Sequence, residues 1–258
     1  MIKERIDTRI LGAVRWVDAV TLAPIPYPLV ATGAQLRFTR NLSGLCVITH
    51  ADGLEKYTPT FKLTDLLPAD VVTTGSLGRS GQVEDPSGNY LPTKFTLSLP
   101  RDPSPALVGP NNDQRPPNSL FSPFEIGLLP SPTSRVAPGF AQVRVLILDN
   151  ASNPIRNALA RVMATADDAL LGCGLSDQRG EALVAIPGLK HFAPGDTEDE
   201  VVSVVTEARL EIILPPNTEP IVDWTALRDA TVAAGNTDPE LLHLKPGASY
   251  SRHYPFTT

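Results

Sequence analysis

The sequence predicts an all-β protein: two tandem Greek-key β-sandwich modules joined by a Pro-rich connector, with a short C-terminal helix and an extended arm. Three observations lead there. Prolines number 26 among 258 residues, about twice ordinary usage, which breaks long helices and favours turns. Apolar and polar residues alternate at period two in many short stretches. One order of features also occurs twice.

The first copy reads Val14-Arg15-Trp16-Val17-Asp18, then Pro24-Ile25, then Ser43-Gly44-Leu45-Cys46-Val47-Ile48. The second reads Val145-Leu146-Ile147-Leu148-Asp149, then Pro154-Ile155, then Arg179-Gly180-Glu181-Ala182-Leu183-Val184. Each closes on a strand stopped by proline, Leu97-Ser98-Leu99-Pro100 in one and Ile212-Ile213-Leu214-Pro215 in the other.

The first module spans 1–100. Ile10, Gly12, Val14 and Trp16 form one face of a strand; Asp18 opens a turn, and Ala23-Pro24-Ile25-Pro26 is extended because proline fixes φ and restricts its predecessor. Leu36 to Arg40 alternates again, Asn41-Leu42-Ser43-Gly44 is a turn, and Leu45 to Thr49 is an apolar strand. Thr73 to Tyr90 is rich in Gly, Ser and Asp and reads as a long polar loop. Phe95, Leu97 and Leu99 mark the closing strand.

Residues 101–139 read as the connector. Residues 100 to 139 hold ten prolines, which favour an extended, semi-rigid chain. The segment also contains Leu120, Phe121, Phe124, Ile126, Leu128 and Leu129, too large an apolar group to leave wet. It is therefore expected to pack on a module or on a neighbouring subunit.

The second module spans 140–220. Val143, Val145 and Ile147 form one strand face, and Ala158, Ala160 and Val162 begin another. Ser176-Asp177-Gln178-Arg179-Gly180 is a turn in which Asp accepts forward hydrogen bonds and Gly takes positive φ. Glu198-Asp199-Glu200 reads as a solvated acidic loop. In residues 221–258, Asp223 is a helix N-cap, Trp224, Leu227 and Thr231 share a face, and Gly235-Asn236 ends the helix. Tyr250 to Phe256 is an aromatic arm that either folds back on its own sandwich or docks on a neighbour.

On Asp149 through Pro154-Ile155, Asn157-Ala158, Ser176 to Gly180 and Ile186-Pro187-Gly188, the second module resembles the carboxypeptidase regulatory-like, transthyretin-like β-sandwich. The first module is similar only through Asp18, Pro24-Ile25, Ser43-Gly44 and Leu99-Pro100, and lacks the Ser-Asp pair before its glycine. The resemblance implies a seven-strand Greek-key sandwich and carries no activity, since such modules are usually structural or recognition accessories.

The net charge of -6 and the scattered basic residues give no phosphate footprint, which argues against nucleic acid as a partner. Charges from Lys3 to Arg9 leave no apolar signal segment, and no apolar run is long enough to span a bilayer. The expectation is cytoplasmic synthesis, with release only by a signal-independent route or within a virion-like particle. Cys46 and Cys173 lie one per module and read as buried free thiols.

Catalytic and metal signatures are sparse. His50, His191, His243 and His253 form no zinc-peptidase pattern. Cys46 and His50, four apart on a strand, would share a face without completing a site. The carboxyl terminus lacks the Tyr-Arg-Gly-Ser ending of transthyretin-like ureide hydrolases. Tyr250, His253 and Tyr254 supply the residue types of an intradiol dioxygenase but no second paired histidine. No cofactor, metal or catalytic residue is therefore assigned.

The leading expectation is a non-catalytic structural or adaptor protein bound to protein subunits of a larger assembly, or to copies of itself. By analogy with sandwich modules joined by Pro-rich segments, that assembly would be a phage-tail-like contractile injection machine. Its partner contacts would be Leu120, Phe121, Phe124, Ile126, Trp224, Leu227, Tyr250, Tyr254 and Phe256. The alternatives are a carbohydrate- or peptide-binding sandwich using Tyr57 and Tyr90 as exposed aromatics, and a metalloenzyme using the tail Tyr and His residues.

Overall fold

Alternation of apolar and polar residues produces strands wherever one face can be buried, as the alternating burial along Thr93–Leu99 and Ala141–Leu148 shows. The computed structural model describes residues 10–55, 57, 73–103, 117–190, 192–194, 201–216, 219–231 and 236–255. They fold into sixteen strands and one short helix, confirming the all-β class. The chain divides into two units. Unit 1 comprises Met1–Val17, Pro24–Glu84 and Lys94–Gly127; unit 2 comprises Asp18–Ala23, Asp85–Thr93 and Leu128–Thr258.

Unit 1 contains β1 (Gly12–Asp18), β2 (Val30–Thr32), β3 (Leu36–Arg40), β4 (Cys46–Ala51), β5 (Leu77–Glu84), β6 (Thr93–Leu99) and β7 (Phe124–Leu128). Its two sheets run β3-β4-β1-β7 and β2-β5-β6. The buried side chains include Val14, Trp16, Ile48, Val83, Phe95 and Leu97, and the Phe95 ring lies 5.5 Å from Trp16 and 6.3 Å from Phe38.

Unit 2 contains β8 (Ala141–Leu148), β9 (Leu159–Ala164), β10 (Leu170–Leu175), β11 (Glu181–Ile186), β12 (Phe192–Pro194), β13 (Val201–Ser203), β14 (Thr206–Ile213), α1 (Trp224–Arg228), β15 (Leu242–Leu244) and β16 (Ser249–Pro255). Its main sheets run β10-β9-β14-β15 and β11-β8-β16, and β12 pairs with β13 alone. Val143, Val145 and Ile147 from one sheet meet Ala160, Val162, Leu210 and Ile212 from the other in a fully buried core. The outer face of the larger sheet carries a second core, in which Leu159 and Leu175 pack with Trp224 and Leu227.

The duplicated order of features corresponds to a duplicated geometry. Asp18 N–H donates to Ala23 O and Ile25 N–H to Trp16 O; Asp149 N–H donates to Asn153 O and Ile155 N–H to Ile147 O. Pro24 bridges Val17 as Pro154 bridges Leu148. β1 pairs antiparallel with β4, as β8 does with β11. The missing Ser-Asp pair of the first module is replaced by Asn41. Asn41 N–H donates to Leu45 O and Gly44 N–H to Asn41 O, matching Asp177 to Glu181 and Gly180 to Asp177. The Asn41 Oδ1 accepts from Leu45 N–H at 2.9 Å, as Asp177 Oδ1 accepts from Glu181 N–H at 3.2 Å. The copies differ in where the next strand pairs: β3 pairs with β4, whereas β10 pairs with β9.

Several expectations need correction. The stretch 73–90 contains the strand β5. Its signal is hidden because Gly81 occupies a position where a Cβ would lie 2.6 Å from the Phe95 ring and 2.9 Å from Thr32 O. Within the segment read as a connector, residues 124–127 belong to unit 1 and form most of β7. The helix ends at Arg228 instead of running toward Gly235-Asn236. Arg161 there donates to the carbonyls of Arg228 and Ala230, which would otherwise be orphaned at a helix end. Of the two alternatives for the tail, the strand β16 takes the first and folds back on its own unit, running parallel to β8 from Ser249 opposite Gln142 to Pro255 opposite Leu148.

Candidate functional site

One groove in unit 1 is built from the repeat itself. β1 supplies Arg15 and Trp16, the extended Pro24-Ile25-Pro26 forms one wall, and the β3–β4 turn from Arg40 to Leu45 forms the other; the volume is about 970 Å³. The prolines keep the first wall straight. The second is a tight turn because Gly44 takes φ +84° and Asn41 accepts hydrogen bonds from its own turn. Trp16 and Ile25 are buried, whereas Leu42 at the tip of the turn is fully exposed.

The charged side chains lining the groove are Arg15 and Arg40. Arg15 Nη1 lies 3.0 Å from Glu125 Oε1, with both side chains well exposed. Arg40 Nη2 donates to Pro26 O at 3.1 Å. Such a surface can hold an extended segment that offers an apolar side chain to the walls and a carboxylate to the guanidinium groups. The sequence signal for it was Leu42, a branched apolar residue in a turn whose counterpart in unit 2 carries Gln178.

The residues expected to contact partners differ in exposure. Trp224 and Leu227 are buried in the second core of unit 2, and Tyr254 is buried in its main core. Side chains enclosed in this way offer no surface to a partner, so these three expectations are corrected to packing within the unit. Tyr250 is half-buried, accepting from Lys245 N–H and donating to His243 O, each at 2.8 Å. Phe256 lies outside the described residues. In unit 1, Leu120, Phe121, Phe124 and Ile126 are half-buried. Phe124 and the backbone at Ser119 and Ser122 are held by Arg101, a buried residue that sequence reasoning missed. Its guanidinium donates to Ser119 O and Ser122 O and stacks 4.0 Å above the Phe124 ring. Burial pushes its pKa down.

The aromatic pair proposed for carbohydrate or peptide binding is not an exposed platform. Tyr57 is buried, and burial raises its phenol pKa. Tyr90 is half-buried and its hydroxyl donates to Asp18 Oδ2 at 2.8 Å. The tail residues do not converge on a metal either. Side chains alternate along a strand, so His253 is directed away from the face shared by Tyr250 and Tyr254. Burial agrees: Tyr254 is enclosed and His253 is exposed.

Cys46 and His50 do not share a face. The β3–β4 register shifts between Arg37 and Phe38, which pair with His50 and Ile48 and leave Thr49 as an extra residue. This bulge makes Ala51, not His50, the next fully buried position after Ile48. His50 instead lies near Asp52 and Glu55, with one donor atom from each within 4.8 Å of the others. Both thiols are pushed up to about 11 by burial, slightly offset by neighbouring arginines.

No family model matches the chain, and no curated protein matches it. Among solved structures, the Bacillus anthracis TIE protein is similar at 9% identity and a TM-score of 0.28, covering 96% of this chain and 34% of that one. A streptococcal ancillary pilin is similar at 10% identity and a TM-score of 0.26, covering 86% of this chain and 50% of that one. The chain thus spans about a third and a half of the lengths of these two proteins.

Proposed function

We propose that the chain is a non-catalytic structural subunit of a larger protein assembly, docking through the groove of unit 1. The observation that carries this reading is Leu42, fully exposed at the lip of a groove lined by Trp16, Ile25 and three further apolar residues. Leaving a large branched side chain wet at a turn tip forgoes about 2 kcal/mol of burial, which docking recovers. Arg15 and Arg40 suit an acidic occupant, and the chain itself carries a net charge of -6. A second copy is therefore the occupant to which the reading commits.

Gel filtration with light scattering at micromolar concentration tests the reading. The full chain is expected above monomer mass, and Leu42→Asp is expected to return it to monomer without changing its circular dichroism. A wild type that stays strictly monomeric overturns the docking proposal. The finer reading, a component of a phage-tail-like contractile machine, rests on sequence analogy. It predicts that the chain sediments with tubular or baseplate-like particles from its source cells; a chain confined to the soluble fraction refutes it.

A further inference from the structure

We propose that His50, Asp52 and Glu55 form a divalent-metal site of unit 1 that suits Zn²⁺. The proposal goes beyond the assembly reading and stands independently of it. Its basis is a mixed donor set, one imidazole and two carboxylates, brought together within six residues by two backbone features. The bulge at Thr49 releases His50 from the core-facing series of β4. Gly53, at φ +83°, then turns the chain so that Glu55 comes back beside His50 and Asp52.

The spacing fits a bound ion. Zinc–ligand bonds of about 2.0–2.2 Å place adjacent ligand atoms roughly 3.0–3.6 Å apart in tetrahedral to octahedral geometry. The His50 Nε2 to Asp52 Oδ1 distance is 3.1 Å, spanned by a hydrogen bond that a bound ion would replace. All three donor atoms lie within 4.8 Å of one another, so a rotation of the exposed Glu55 side chain closes the remaining gap. Imidazole nitrogen favours a borderline transition ion over Mg²⁺ or Ca²⁺, while the carboxylates supply the charge. Three protein ligands leave a coordination position for water or for a group from elsewhere.

The surroundings hold the turn in place. Arg79 donates from Nε and Nη2 to Asp52 O at 3.0 and 2.5 Å, fixing the backbone without using a ligand oxygen. Gly53 N–H donates to Glu55 Oε1 at 2.8 Å. The Arg79 charge opposes a cation, which places the expected affinity in the micromolar range and not the nanomolar range of closed structural sites.

Isothermal titration of the full-length protein with zinc chloride tests the proposal. One site per chain with micromolar affinity is expected. His50→Gln and Glu55→Gln are each expected to weaken it by about tenfold or more, equivalent to about 1.4 kcal/mol. His253→Gln, on the tail strand, is expected to leave it unchanged. Saturation reached only at millimolar zinc, or wild-type affinity in His50→Gln, overturns the proposal. Circular dichroism of each variant separates ligand loss from misfolding, and a monomeric chain that still binds zinc refutes only the docking reading.

Discussion

The duplicated turn makes a quantitative prediction, because its glycines share a backbone conformation and differ in their neighbours. Gly44 has φ +84° and Gly180 φ +73°. A Cβ at Gly44 would meet only Arg40 Nη2, at 3.9 Å. A Cβ at Gly180 would lie 2.5 Å from Ile147 O and within 3.2 Å of Pro154. Gly44→Ala therefore bears only the left-handed penalty of about 1–2 kcal/mol. Gly180→Ala adds overpacking against backbone, worth about 1–3 kcal/mol more.

The two tryptophans separate the readings, since Trp16 is buried in unit 1 and Trp224 in unit 2. Fluorescence-monitored urea unfolding in a Trp224→Phe background follows unit 1, and in a Trp16→Phe background follows unit 2. At a urea dependence of about 2 kcal/mol per molar, Gly44→Ala lowers its midpoint by about 0.5–1 M and Gly180→Ala by about 1–2.5 M. Each is compared with its own background. Equal shifts, or a larger one at Gly44, would refute the argument that neighbours and not φ alone distinguish the copies.

Three further outcomes follow from named groups. Burial opposes ionisation of Asp85, but hydrogen bonds from the Ser87 hydroxyl and from the N–H groups of Ser87, Tyr90 and Asn89 outweigh it and lower the pKa. Its stabilisation is thus present above the unfolded carboxyl value of about 4 and is lost as pH falls through the lower folded value. Asp85→Asn should shrink the loss of unit 2 stability measured between neutral and acidic pH; an unchanged loss excludes this role. With both thiols raised to about 11, Cys46 and Cys173 should react slowly with a thiol reagent in the native protein and rapidly in urea. Tyr254→Ala should cost unit 2 about 3 kcal/mol through the cavity it leaves; a changed oligomeric state with unchanged stability would mean that the strand packs in trans.

What was legible in the sequence was whatever depended on local chemistry. Asp18, Asp149 and Asp177 announced their turns because each carboxylate accepts from N–H groups two to four residues ahead. Asp223 announced α1 in the same way, accepting from Thr225 N–H. Long-range pairing left weaker traces. β5 was hidden because its partner in the core is an aromatic ring over Gly81, not an apolar side chain of its own. The bulge at Thr49 depends on the register of β3, which period-two reading of β4 alone does not contain. The tail's aromatic content was visible, but its parallel partner β8 lies more than a hundred residues upstream. Arg101 left no trace to read, because its acceptors, the carbonyls of Ser119 and Ser122, carry no side-chain signal.

The same distribution of polar groups bears on function. Asp18, Asp85, Asp149 and Asp177 each accept two or more hydrogen bonds from their own turns. A carboxylate held in this way is committed to backbone geometry, and removing its donors to serve a substrate would cost it that stabilisation. The repeat thus spends its acidic side chains on shape. Chemistry and contact then fall to positions the turns leave unconstrained, and unit 1 offers two of them. Leu42 occupies the turn position that holds Gln178 in unit 2, projecting an apolar group over the groove. His50 is freed from the core by a bulge and meets two carboxylates outside it. Because one position is apolar and the other ligating, Leu42→Asp should abolish association while leaving zinc affinity intact, and His50→Gln should do the reverse. A variant at either position that removed both properties would mean that the turn and the bulge act as one site.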